Sequence, residues 1–300
     1  MDRRKFIQKT AGAGLSLGLA TSMFGNLSAM AFNPVDLVAI KGGEATDMFN
    51  KAIEAIGGMS RFVKRGQTVV VKPNIGWDAE PEKAANTNPK LVHRIIEHCL
   101  NAGAKEVFVF DHTCDTWTRC YTNSGIERAT KDAGGKIVGG NTENFYQSVE
   151  VGGKVLKSAK VHELILSSDV FINVPVLKHH SSTKLTVAMK NLMGIVWDRG
   201  FWHRNNLHQC IADFATFRKP DLNIIDAYAV MKRNGPRGVS VDDLVPMKSQ
   251  IISTDMVAAD AAAAMMFGSK PEDIPYINFA DELKVGVKDL SKLNIKRLTI

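Results

Sequence analysis

Seven consecutive positions, Lys178, His179, His180, Ser181, Ser182, Thr183 and Lys184, are all polar or titratable. They follow an apolar run, Val170–Val174, closed by Pro175, and precede apolar residues at Leu185, Met189 and Leu192 ahead of Gly194. This pattern predicts a buried strand, a polar loop and a helix, which is where α/β proteins hold their ligands. An imidazole titrates near neutrality, so His180 is the candidate for proton transfer, with Lys178 beside it. Adjacent residues on an extended segment point opposite ways, so at most one of His179 and His180 is expected to face a site.

Other expected strand ends carry similar groups. Lys72 and Asn74 follow Thr68–Val71, Asp111 and His112 follow Glu106–Phe110, Asp226 follows Leu222–Ile225, and Asp255 follows Ser249–Ser253. Ligands bind outside the carboxyl ends of strands in open α/β sheets, so these residues are expected to share a cleft. Cations dominate the candidates: Lys72, Lys178, Lys184, Lys190, Arg199, Arg204 and Arg237. Such a cleft attracts carboxylate or phosphate. Lys178 and His180 would do the chemistry, with Asp111 or Asp226 orienting the base. Lys72, Asn74, Lys190, Asn191 and Arg237 would hold a small anionic ligand or cofactor. The candidate metal ligands are His112, Cys114 and Cys120, with His180 and His203 as further donors. Cys114 and Cys120, on either side of an expected polar loop, equally suit a disulfide in an oxidising compartment, and their spacing is not a zinc signature. Cys99 and Cys210 fall in helical patterns and read as buried thiols.

Positioning these groups falls to β-rich runs that alternate with helical patterns from Val35 onward. Expected helices include Glu44–Ile56, Lys90–Asn101 with Asn88 as cap before Pro89, Ser124–Ala133, Leu207–Phe217 and Met256–Phe267 behind Thr254-Asp255. The aromatic and charged segment from Trp197 to Arg204 reads as a loop. Repeated β–α alternation implies one Rossmann-like α/β domain over residues 32–300, its mostly parallel sheet flanked by helices on both faces. No G-x-G-x-x-G follows the first strand and no P-loop pattern occurs, so a standard dinucleotide or nucleotide site is unsupported.

The first 31 residues read as an export signal. Arg3-Arg4-Lys5 starts it, Ala11 to Met23 is weakly apolar, and Ala29-Met30-Ala31 fits a cleavage site. Paired arginines followed by Lys-Phe-Ile resemble a twin-arginine signal, which predicts the twin-arginine export machinery as a partner and a periplasmic location. This segment holds Arg3, Arg4, Lys5 and Lys9 against Asp2, so the formal charge of +7 drops by three to +4 without it. No basic run interleaved with aromatics accompanies that mild excess, which argues against nucleic acid. No stretch approaches the ~18 apolar residues of a membrane span, so none is expected after signal cleavage.

Lys72-Pro73-Asn74, the run NVPVLKHH followed by LTVAMKNLMG, and PDLNIIDA leading to NGPRG resemble the family called domain of unknown function 362. The resemblance covers roughly Val35 to Gly268. Many relatives carry a ferredoxin-type insert with clustered cysteines and are labelled iron–sulfur centre proteins; the four scattered cysteines here do not match it. The resemblance also implies a distant fold analogy to the N-terminal domain of the nickel-pincer lactate racemases, without a matching catalytic motif. The functional expectation is an exported enzyme acting on or through a small anion. The alternatives are a periplasmic cofactor- or metal-carrying maturation protein and a metal-dependent redox protein.

Overall fold

Alternation along the central strands determines how the molecule is layered. Val70, Phe171, Ile225 and Ile251 pack into one apolar cluster, while Val69, Val71, Ile172, Ile224 and Ile252 pack into another. Successive side chains of a strand point to opposite faces, so these strands are covered on both sides. The computed structural model describes residues 34–300, and Pro34–Ile300 forms one unit. The expected export signal over residues 1–31 lies outside the described residues.

The strands are β1 (Leu37–Lys41), β2 (Thr68–Pro73), β3 (Glu106–Val109), β4 (Lys136–Ile137), β5 (Tyr146–Glu150), β6 (Ser158–His162), β7 (Val170–Val174), β8 (Val176–His180), β9 (Lys184–Thr186), β10 (Leu222–Met231), β11 (Leu244–Ser253) and β12 (Ile295–Thr299). The main sheet runs β12-β1-β11-β10-β7-β2-β3-β4, with β8 and β9 branching from β10; β5 and β6 form a separate antiparallel pair. The core pairings β10–β7, β7–β2, β2–β3 and β3–β4 are parallel, and β11 lies antiparallel to both β1 and β10. The fold is therefore α/β with a mostly parallel sheet.

Helices cover both faces. Ala45–Ala55 and Pro89–Asn101 bury Met48, Phe49, Ile53, Leu91, Ile95 and Ile96 against one face. Leu207–Phe214 and the alanine-rich Met256–Phe267 cover the other. Asn88 caps its helix by accepting from the Lys90 amide at 2.9 Å, and Asp255 Oδ1 accepts from Val257 and Ala258 at 2.8 and 3.0 Å. Asp255 is thereby a helix cap rather than a site residue. No described helix is long and apolar enough to cross a membrane.

Three segments differ from the sequence-based expectation. Pro175 ends β7 as expected, but a new strand, β8, starts directly after it, so that the ten-residue β10 takes β7 along its first half and β8 along its second. The expected loop at Lys178–Lys184 is a hairpin, in which Lys178 pairs with Thr186 and His180 with Lys184. The expected helix from Leu185 shrinks to Ala188–Asn191 followed by a 3₁₀ turn over Leu192–Ile195. In addition, Trp117–Asn123 and Arg199–Arg204 are short helices where loops were expected, the latter capped by Asp198.

Candidate functional site

The ends of β2 and β3, the β8–β9 hairpin and the Ala188–Ile195 segment enclose a cavity of about 440 Å³. At its floor Lys72 Nζ lies 3.0 Å from Asp111 Oδ1, both side chains essentially inaccessible to solvent. Burial pushes the Lys72 ammonium downward, and the Asp111 carboxylate opposes that shift. Asp111 Oδ2 accepts from the Ile75 amide at 2.6 Å, and Lys72 Nζ donates to Asn191 Oδ1 at 2.8 Å. The backbone passes close to this pair at Gly194. A Cβ there would fall 1.8 Å from Asp111 Oδ1 and 2.5 Å from Lys72 Nζ, so only glycine fits.

Above the pair, amides link the walls. Asn74 Nδ2 donates to Asn191 Oδ1 at 3.1 Å, while Lys178 Nζ donates to Asn74 Oδ1 at 3.1 Å and to the Ala85 carbonyl. Burial lowers Lys178 to about 7. Lys190 is 9% exposed and lines the same cavity. Its ammonium has no hydrogen bond or ion pair among the described residues, and burial lowers it to about 8. Thr186 Oγ1, on the facing strand, is also buried without a hydrogen-bond partner. Unsatisfied buried polar groups are rare and call for an explanation, and a bound ligand supplies one.

Of the three imidazoles that line the cavity, His112, His180 and His203, the first two differ in which nitrogen carries the proton. His180 Nδ1 accepts from the Ser182 amide at 3.1 Å, so the neutral ring carries its proton on Nε2. Burial, then Lys190 and Lys178, lower this ring to about 2 and keep it neutral. His112 Nδ1 lies 3.0 Å from the Val196 carbonyl, which can only accept, leaving Nε2 with a lone pair. His112 stacks on Trp197, ring centroids 4.9 Å apart and 4° from coplanar, and burial lowers its basicity. Arg199 holds the β3 loop, donating to the His112 and Thr113 carbonyls at 2.8 and 2.7 Å.

The cavity thus presents four basic side chains, Lys72, Lys178, Lys190 and Arg199, against one carboxylate, Asp111. A family model described as a domain of unknown function (DUF362) matches residues 69–265. The chain belongs to that family. Every residue lining this DUF362 cleft falls inside the matched stretch. A thylakoid-associated protein of Synechocystis sp. is 26% identical over 204 residues, which cover 61% of this chain and 59% of that protein. The chain thus spans less than two thirds of that relative. The lactate racemase apoprotein from Thermoanaerobacterium thermosaccharolyticum aligns with 78% of this chain and 57% of its own, at TM-score 0.49 and 11% identity. A Thermotoga maritima protein aligns with 75% of this chain and 58% of its own, at TM-score 0.42 and 12% identity.

Of the residues singled out by sequence, this DUF362 chain brings Lys72, Asn74, Asp111, His112, Cys114, Lys178, His180, Lys190, Asn191, Arg199 and His203 together in the cleft. Asp226 is not among them. β10 continues past it, and its carboxylate accepts from the Asn88 and Tyr228 amides at 2.8 and 3.1 Å beside a separate cavity. Arg237 is also absent from the lining; it is exposed and reaches Asp115 at 3.7 Å, while its neighbour Pro236 lines the cleft. Cys120 is buried on the helix Trp117–Asn123, its Sγ 3.9 Å from the Gly76 carbonyl, which removes it from the site. All four cysteines are free, so the Cys114–Cys120 disulfide is absent. No group of three or more His, Cys, Asp or Glu among the described residues is arranged to hold a metal ion. Sequence reasoning missed Trp77 and Thr186 in the lining. It also missed Asp260, which accepts from the Ala188 and Met189 amides at 2.7 and 3.1 Å and anchors the turn bearing Lys190. No linear motif marks these three residues.

Proposed function

We propose that this DUF362 protein is an exported enzyme that binds a small carboxylate- or phosphate-bearing molecule in the basic cleft and moves a proton on it. The observation that carries this reading is Lys190, an ammonium nine-tenths buried and facing the cavity without a partner. A charge so placed is costly unless an anion joins it. Lys178 and the His180 Nε2–H would complete the anion's hydrogen bonds. The lone pair of His112 Nε2 suits the proton acceptor, so that role passes from His180 to His112. Asp111 opposes the burial that lowers Lys72.

The free cleft holds Lys178 and Lys190 near about 7 and about 8, so an arriving anion draws protons onto them. Anion affinity should therefore fall as pH rises through this range, and binding at pH 8 should take up protons. Calorimetry with inorganic phosphate, malonate and oxalate in buffers of different ionisation heat measures both effects. We expect a Kd below ~1 mM for at least one anion and at least a ~10-fold loss in Lys190→Ala, equivalent to about 1.4 kcal/mol. Failure of every anion to bind would sink the reading. Carboxylates with a carbon-bound hydrogen that bind, malonate among these three, are then followed by NMR in D2O for exchange of that hydrogen, with exchange expected to vanish in His112→Gln. Binding without exchange would leave a carrier rather than an enzyme. Export is tested by fusing residues 1–31 to a reporter: changing Arg3 and Arg4 to lysine should abolish its appearance in the periplasm.

A further inference from the structure

The anion cleft also contains a nucleophile that proton transfer does not use. Cys114 is a free, exposed thiol on the loop after β3, and it lines the cavity together with Lys72, Lys178, Lys190 and Arg199. Its position is fixed from two sides. The Cys114 amide donates to the Gly76 carbonyl at 2.7 Å, and Arg199 Nη1 lies 3.7 Å from its Sγ while gripping the adjacent carbonyls. Cys99, Cys120 and Cys210 are buried, and burial raises all three thiols, to about 12, 11 and 11. Two further observations point to a ligand beside Cys114: the unpartnered Lys190 ammonium and the unsatisfied Thr186 hydroxyl.

We infer that Cys114 is a covalent attachment site for carboxylates that carry an electrophilic carbon, the cleft's cations holding the carboxylate while Sγ attacks. The natural class is an α,β-unsaturated carboxylate. The S–C bond forms at the β-carbon, the C=C π pair shifts to the α-carbon, and that carbon takes up the proton given up by the thiol. No oxidant, reductant or further reactant is consumed. The inference rests on the anion cleft proposed above and assigns it a substrate class.

The test compares iodoacetate with iodoacetamide, which share an electrophilic carbon and differ in charge; with either, the S–C bond forms as iodide leaves. Alkylation rates at Cys114 are read by peptide mass analysis on the full chain, with glutathione as the reference thiol. Steering by a cationic cleft speeds association of an anion by roughly 10-fold or more. The iodoacetate-to-iodoacetamide ratio at Cys114 should therefore exceed that of glutathione by at least ~10-fold, and should fall towards the glutathione value in Lys190→Ala and at high salt. A Cys114 ratio equal to that of glutathione overturns the proposal, as does one unchanged in Lys190→Ala. Phosphate, malonate and oxalate calorimetry on the same samples separates the two readings: anion binding with no charge selectivity removes only the thiol's role, and the loss of both removes the cleft as well.

Discussion

Lys190 and Lys72 share the floor and wall of one cavity, yet the protein treats them oppositely. Lys72 has a carboxylate at 3.0 Å and an amide oxygen at 2.8 Å; Lys190 has neither. Burial without compensation lowers Lys190 from 10.5 to about 8. Between those values the unfolded chain binds more protons than the folded one, so this residue makes stability rise with pH. The full penalty, on the order of 3 kcal/mol, is present below about pH 8 and gone above about pH 10.5. Lys190→Met keeps the chain's bulk and removes the charge. Thermal unfolding of ligand-free protein at pH 7 should show it more stable by about 1–3 kcal/mol, with most of the gain lost by pH 10. A less stable variant would mean that the ammonium has a structural partner. The cation at position 190 was visible in the sequence; its isolation was not, because pairing depends on which elements converge.

The elements around the cleft explain which parts of it were legible. β7 could be read directly, since Val170–Val174 is apolar at every position but Asn173 and buried at every position. β8 and β9 could not: polar residues crowd the hairpin because one face meets the cavity, and that composition is also that of a loop. Asp226 was misjudged for a related reason, as an acidic residue inside a ten-residue strand looks like a strand end. The sequence pattern places Gly194 at the end of a helix, whereas its role is to let the Leu192–Ile195 turn approach the Lys72–Asp111 pair. Gly194→Ala should therefore part that pair. A separated buried ion pair costs about 3–5 kcal/mol, so urea unfolding should register a loss of that size, and phosphate binding should fail with it. A loss under about 1 kcal/mol would show that the turn can withdraw.

Across the whole molecule, the cleft is tied to the centre of the sheet by a line of buried amides. Asn191 Nδ2 donates to Asn173 Oδ1 at 2.9 Å, and Asn173 Nδ2 donates to Asn223 Oδ1 and to the Ala188 carbonyl, both at 3.0 Å. Asn223 Nδ2 reaches the Ser253 carbonyl at 3.5 Å, so the line runs from the Ala188–Asn191 helix through β7 and β10 to β11. Asn173 and Asn223 lie fully buried in strands that otherwise read as apolar, which makes each amide depend on its neighbours. The arrangement fixes Asn191, and through it the oxygen shared by Lys72 and Asn74. Asn173 does not itself line the cleft, yet Asn173→Ala would leave Asn223 Oδ1 and the Ala188 carbonyl without their Asn173 donor, and Asn191 Nδ2 with the Lys72 carbonyl at 3.3 Å in place of two acceptors. Each orphaned group costs about 1–3 kcal/mol, so urea unfolding should show a loss of at least ~2 kcal/mol. Phosphate affinity, measured below the unfolding transition, should fall several-fold as Asn191 is freed to turn away from Lys72. Asn173→Asp supplies the contrast: it keeps an acceptor for Asn191 but loses the donor to Ala188 and Asn223. It should retain more of the affinity than Asn173→Ala while destabilising the sheet. Equal affinity in all three proteins would mean that the cleft holds its shape without the sheet's amides.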